Sequence, residues 1–157
     1  MPDAKVERRK LDFHNFDEVI ADAEGLLRNG YERAGNWDLS QVCYHLTEWL
    51  RFTMDGFPPV PWFVHLMRWT IGGAIKRKVL RSRSMPAGGP TLKITISPPG
   101  DPAAAVEKLR QTIERFKLYT GELHPSRMFG RMSRDEWENL NLVHCAHHLS
   151  FLIPRSR

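Results

Sequence analysis

Two histidines near the C-terminus have the spacing of a metal chelate. His144 and His148 are four residues apart in a segment whose apolar periodicity predicts a helix. At about 3.6 residues per turn, the two side chains lie about 40° apart on one helix face. Such a pair can bind one ion, with metal–nitrogen distances of roughly 2.0–2.1 Å. The HExxH metalloproteases use the same spacing, but no Glu follows His144, so the protease interpretation lacks its base.

A third ligand must come from another part of the chain, because two imidazoles alone make a weak site. His45 is the best candidate, since it lies in the apolar part of a second predicted helix, beside Leu46 and Trp49. The alternative is that each histidine is a hydrogen-bonded core residue. Three histidines would leave open coordination positions, as catalytic sites do, and would suit zinc, nickel or iron.

Three further polar residues are candidates for the same site. Glu48, about one turn beyond His45, could orient a ligand, bind the metal or serve as a catalytic base, and a solvated surface Glu is the alternative. Asn141, one turn before His144, has the same ambiguity. His147 could replace His148 as partner of His144 or support the ligands, although a plain hydrogen-bonding role is favoured.

Composition and charge limit the classes of protein. The chain has 157 residues, a hydrophobic fraction of 41% and a net charge of +5, which predicts one globular domain over residues 1–157. The two cysteines, Cys43 and Cys145, do not make a disulfide framework, and we expect buried, inert thiols. The polar N-terminus, residues 1–10, argues against a signal peptide, so we expect a cytoplasmic protein.

The third predicted helix combines apolar and basic residues. Residues 60–75 are too short and too interrupted to span a bilayer, and we expect no membrane partner. Residues 76–83 carry a basic run that could meet phosphates or an anionic membrane surface, but a solvated helix end is the favoured interpretation. We also expect no nucleic-acid partner. The aromatic residues of this helix could form a partner face, although such a stripe is more often core.

Periodicity and capping residues predict five helices. Asn, Asp or Ser precedes four of them as an N-cap, and Ser133 with Glu136 has the capping-box pattern. Within the third helix, Gly72 and Gly73 predict a kink or a close helix contact. The helices are expected over residues 15–28, 38–54, 61–81, 101–119 and 133–152.

The long connection between the third and fourth helices has a different character. Residues 85–90 are rich in Pro and Gly, and residues 92–96 alternate apolar and polar side chains like a short strand. Because no second strand is predicted, we expect an extended loop that lies over the helices. The whole pattern predicts an all-α fold: a four-helix up-down bundle with a long crossover connection and a short extra helix or extended loop.

Four segments resemble a known family. Residues 36–46, which include His45, and residues 144–151, which include His144 and His148, look like the DinB-like superfamily of metalloproteins, also called DinB/YfiT-like. More narrowly, together with residues 8–13 and 54–58, they look like a bacterial branch labelled a domain of unknown function. The resemblance covers nearly the whole chain, through the order and spacing of its motifs.

The resemblance implies a fold, a site and a class of activity. It implies a DinB-like four-helix bundle whose metal is held by one His on the second helix and an HxxxH on the last, which are His45, His144 and His148 here. It also implies a homodimer, and characterised relatives include transferases and an isomerase that use low-molecular-weight thiols. No specific thiol-binding motif is present.

These observations leave three hypotheses for the function. The first is a metal-dependent enzyme that acts with a small thiol and an electrophilic substrate, as an S-transferase or an isomerase. The second is a metal-dependent hydrolase with Glu48 as base. The third is a binding or stress-response module that is not an enzyme, in which the metal site is structural or vestigial.

Overall fold

The computed structural model describes residues 7–89 and 91–156. The first part of the polar N-terminus, residues 1–6, and Pro90 of the turn-rich segment lie outside the described residues. The long helices are α1 (Phe16–Asn29), α2 (Leu39–Asp55), α5 (Pro102–Leu118) and α6 (Arg134–Leu149). Between α2 and α5 lie α3 (Trp62–Met67), a π-helical stretch (Arg68–Gly72), α4 (Gly73–Ser82) and a 3₁₀ turn (Lys93–Thr95). The described part of the chain is mostly helical, as predicted.

The helix ends follow the capping chemistry of the sequence. The side chains of Asn15, Asp38, Asp101 and Ser133 each accept a hydrogen bond from a backbone N–H in the first turn of their helix. The predicted capping box of Ser133 with Glu136 is present. At their C-terminal ends, α1 and α2 stop at glycines with φ of +75° and +106°, a region that favours glycine.

The main core lies between the four long helices. Contacts join α2 with α5 and α6, and α1 with all three. Their apolar stripes meet in one cluster, in which fully buried members include Leu26, Leu46, Leu109, Phe116 and Leu149. Since α2 and α6 are neighbours, the histidines on these two helices can approach each other.

Two elements differ from the prediction. Helix α6 ends at Leu149 instead of continuing to residue 152, and Leu152–Pro154 forms a strand, β2. It pairs antiparallel with β1, Tyr31–Arg33, a strand that was not predicted. Each strand has only three residues and no apolar alternation, so the local pattern carries no strand signal. Conversely, the strand-like residues 92–96 contain a 3₁₀ turn, because no partner strand is available there.

The third predicted helix is interrupted where its glycines are. The π-helical stretch ends at Gly72, and a Cβ placed there would lie 2.7 Å from the carbonyl oxygen of Met128. The close approach is to a turn residue and not to another helix, and it excludes any larger residue at position 72. In the described part of the chain, no helix combines the length and the apolar character needed to cross a bilayer.

Candidate metal centre

The three predicted ligands meet in one buried cluster. His45 lies in the middle of α2, and His144 and His148 lie on consecutive turns of α6. One ring nitrogen of each residue lies within 4.8 Å of the others, and no other group of this kind occurs in residues 7–89 and 91–156. His45 and His144 are buried, and His148 is partly exposed.

Two of the three distances between the ring nitrogens are those expected for ligands of one ion. The Nε2 atom of His144 is 3.1 Å from the Nε2 atoms of both His45 and His148. Metal–nitrogen bonds of roughly 2.0–2.1 Å at tetrahedral or octahedral angles put ligand nitrogens roughly 2.9–3.4 Å apart. A neutral imidazole carries one N–H, so a proton on His144 Nε2 can serve only one of the two contacts. A cation between the three nitrogens would satisfy all of them, and the residues therefore fit a metal.

Thr95 orients the His45 ring from outside the cluster. The Thr95 hydroxyl donates to the carbonyl oxygen of Leu92 at 2.7 Å and lies 2.9 Å from Nδ1 of His45. Since that hydroxyl proton is already used, Oγ1 accepts from the Nδ1–H of His45. The Nε2 lone pair of His45 is thereby left facing the other histidines, as in metal-bound histidines whose second nitrogen is hydrogen-bonded.

Thr95 was not predicted to belong to the site, although its segment lies where it was expected. The connection lies over α2 as expected: Gln41 donates to the carbonyl oxygen of Ser97, and the Tyr44 hydroxyl donates to that of Ile94. The sequence signal that could have identified Thr95 was a hydroxyl residue between two isoleucines, Ile94 and Ile96. Thr95 is fully buried while Ile94 and Ile96 are exposed, the reverse of what hydrophobicity alone suggests.

Removing the Thr95 hydroxyl should weaken metal binding without unfolding the protein. Thr95→Val keeps the side-chain shape but removes the hydroxyl that accepts from Nδ1 of His45, so that only the backbone carbonyl of Thr95 can accept from the ring. We expect a loss of about 10-fold in affinity. Competition with a chromophoric chelator would measure it. Thr95→Ser, which keeps the hydroxyl, should bind nearly as wild type. Equal affinities of Thr95→Val and wild type would refute the orienting role.

Burial keeps all three imidazoles neutral at neutral pH. Desolvation lowers the pKa of His45 to about 4 and that of His148 to about 2, with the neighbouring histidines contributing to the latter. The pKa of His144 is also well below its usual value, again mainly through burial. Neutral imidazole is the form that binds metals, so protons do not compete at pH 7.

Two tryptophans pack on the histidine rings. Trp37 stacks on His148 with ring centroids 5.4 Å apart, and Trp49 stacks on His45 at 6.1 Å. Trp49 also contacts His144, at 5.2 Å. These indoles restrict ring rotation and make the surroundings apolar, which controls the access of solvent to such a site. Neither tryptophan was predicted to belong to the site.

Asn141 is a buried amide that lacks partners. It is 1% exposed, and neither its Oδ1 nor its Nδ2 has a hydrogen-bond partner among the described residues. It occupies the same face of α6 as His144 and His148, three and seven residues before them. An unsatisfied buried amide is unfavourable by about 1–3 kcal/mol, and a polar ligand or water beside the histidines would remove that cost. Its supporting role at the site stays a prediction.

Glu48 and His147 lie outside the three-histidine cluster. The carboxylate of Glu48 accepts two hydrogen bonds from Arg51, and its role as a base stays a prediction. Nδ1 of His147 is 3.2 Å from Nη1 of Arg8, and it accepts because a guanidinium only donates. Burial and the charge of Arg8 lower the pKa of His147. Its geometry is that of the plain hydrogen-bonding histidine favoured above.

The two cysteines are buried thiols, as expected. Cys43 and Cys145 are both free and buried, and neither belongs to the cluster. Burial raises the pKa of Cys43 to about 12 and raises that of Cys145 further. Neither is therefore a thiolate at neutral pH.

The comparisons with known proteins give one match. A family model described as "Protein of unknown function (DUF1569)" matches residues 5–155. Neither the curated proteins nor the solved structures include a match. The family model spans all three clustered histidines and both elements that carry them. Because that match covers nearly the whole sequence, the chain belongs to the DUF1569 family.

Proposed function

We propose that this chain is a DinB-like metalloprotein with a four-helix up-down bundle. The contacts of α1, α2, α5 and α6 around one core support the bundle. The long connection after the second helix also supports it, as does the order of the ligands, one His on the second helix and an HxxxH on the last. This layout matches what the resemblance of residues 36–46 and 144–151 implies.

His45, His144 and His148 would hold a divalent transition metal: zinc, nickel or iron. A cation held by three neutral imidazoles keeps its full charge and lowers the pKa of a thiol or water that reaches it. The chain's own residues prepare the site. Thr95 sets the tautomer of His45, Trp37 and Trp49 exclude water from two sides, and Asn141 offers an amide to a polar group.

The function that this geometry supports best is that of an enzyme acting with a low-molecular-weight thiol and an electrophilic substrate, as an S-transferase or isomerase. The convergence of three Nε2 atoms with no carboxylate among them carries this proposal. It leaves a net positive site that favours a thiolate. The partly exposed His148 marks the side from which a small molecule can enter.

A cobalt-substituted protein would test the proposal directly. We expect cobalt(II) to give an absorption spectrum typical of nitrogen ligands, and glutathione, mycothiol or bacillithiol to add a sulfur-to-cobalt charge-transfer band in the near ultraviolet. Glycerol or acetate at the same concentration should not add it. The His144→Ala variant should give neither spectrum.

Two results would contradict parts of the proposal. A cobalt spectrum that no thiol changes would exclude a thiol as a ligand of the metal. It would favour the non-enzymatic alternative, in which the metal site is structural. Turnover of simple esters without thiol would favour a hydrolase. The pairing of Glu48 with Arg51 gives that alternative no support.

A further inference from the structure

The helical segment between α2 and α5 exposes an unusual amount of apolar surface. None of the six residues of α3 is buried. Trp62 and Trp69 are 77% and 84% exposed. Seven of the thirteen large hydrophobic residues that are exposed in the described chain lie here: Trp62, Phe63, Leu66, Met67, Trp69, Ile71 and Ile75. We call these seven residues the apolar ridge. Large apolar side chains that are exposed together along one short segment are typical of an interaction site.

The rest of the protein covers only one face of this segment. Residues at a four-residue spacing, Val64, Arg68, Gly72 and Lys76, are the less exposed ones. Lys76 pairs with Glu136, and Gly72 lies against the backbone of Met128. The segment is therefore docked along one face, and the apolar ridge lies on the sides that the protein does not cover.

The segment that carries the apolar ridge has only basic charges of its own. Residues 56–100 contain seven Lys and Arg residues and no Asp or Glu. The rest of the chain contains the other 16 of the 23 basic residues and all 18 acidic residues. Arg77, Lys78 and Arg81 are exposed, and together with Ala74 and Ser82 they line a shallow groove on α4. No acidic partner of these three occurs in the described chain.

An anionic phospholipid surface fits both properties. We propose that the apolar ridge and the three basic residues of α4 form a peripheral membrane-binding surface, with the Trp and Phe side chains inserted at the headgroup level. Helices with Trp, Phe and Leu beside Lys and Arg bind in this way. The expectation of no membrane partner rested on the length needed to span a bilayer, and surface binding does not require that length.

Two other occupants fit less well. Nucleic-acid interfaces are polar and strongly basic, and they would leave the seven apolar side chains without a partner. A symmetric dimer places the same patch on both subunits, so it would bring the two basic segments together, and neither segment has an acidic residue of its own to pair with the other. The proposal does not depend on the metal site.

Co-sedimentation with lipid vesicles tests the proposal. The native protein should bind vesicles of phosphatidylcholine with one quarter phosphatidylglycerol much more strongly than pure phosphatidylcholine, with a blue shift of tryptophan fluorescence. Arg77→Gln/Lys78→Gln/Arg81→Gln should bind roughly 100-fold more weakly. Trp62→Ser/Trp69→Ser should lose the blue shift and at least roughly 10-fold in affinity. All five side chains are exposed, so both variants should fold.

Matched controls separate this surface from general charge and hydrophobicity. Lys10→Gln/Arg28→Gln/Lys108→Gln has the same net charge as the basic variant, and Leu118→Ser removes an apolar side chain that is 79% exposed. Both should bind vesicles like wild type. Equal losses in these controls would overturn the proposal, as would no binding of the native protein. If the protein does not bind vesicles, two results would identify another occupant. A dimer that dissociates in Trp62→Ser/Trp69→Ser would indicate a second copy of the chain, and salt-dependent binding of duplex DNA would indicate a nucleic acid.

Discussion

Purified wild-type protein is expected to contain close to one equivalent of transition metal, and His144→Ala almost none. His144 makes both of the 3.1 Å contacts, so its loss removes the ring nitrogen that lies next to those of His45 and His148. Loss of a supporting residue typically costs about 10–100-fold in affinity, and loss of a ligand should cost more than roughly 100-fold. Elemental analysis of untagged protein measures the content. His45→Ala and His144→Ala/His148→Ala should also lack metal.

The same variants should lose the stabilisation that metal gives. Binding to the folded state alone adds about 4 kcal/mol at 1,000 times Kd, which for a chain of this size raises Tm by roughly 8–16 °C. His65→Ala is the matched control, because His65 is exposed and outside the cluster. Wild type that takes up no zinc, nickel or iron after reloading, with no shift in Tm, would leave three core histidines and no metal centre.

The sequence predicts well the part of this site that lies within one helix. His144 and His148 are close because a helix places residues four apart on one face, and the capping box of Ser133 and Glu136 determines where that helix starts. The expectation for His45 rested on a polar ring within an apolar stripe. Its 3.1 Å contact with His144 joins residues 99 positions apart and follows from the packing of α2 on α6.

The features that were missed depend on non-local contacts. Thr95 approaches His45 from an irregular connection 50 residues away, and no periodic pattern places such a loop. The β1–β2 pair joins residues 31–33 to residues 152–154, and neither segment has a pattern that requires a strand. The exposure of the apolar ridge could not be predicted either, because hydrophobicity alone does not distinguish a core helix from an uncovered one.

Acidification of the metal-free protein should destabilise it well before the carboxylates protonate. In the folded state the pKa of His45 falls from 6.5 to about 4 and that of His148 to about 2, and that of His144 is also lowered. Below pH 6.5 the unfolded chain therefore takes up protons that the folded chain does not. Stability is full above pH 6.5 and falls toward pH 4, by about 1.4 kcal/mol per pH unit for each buried imidazole. His147, with a lowered pKa, adds in the same direction.

The pH window identifies the groups responsible. The carboxyls of Asp55 and Glu136, whose pKa values are lowered by Arg115 and Lys76, reduce stability only below their unfolded values of 3.8 and 4.5. A loss between pH 6.5 and 4.5 thus belongs to histidines. Urea unfolding at a series of pH values measures it, and His45→Gln/His144→Gln/His148→Gln should show a much flatter profile. Three imidazoles remove about 4 kcal/mol per pH unit, a large share of the 5–15 kcal/mol that stabilises a typical domain. A wild-type profile that stays flat from pH 7 to 5 would mean that the three rings are solvated and not held as a buried, neutral cluster.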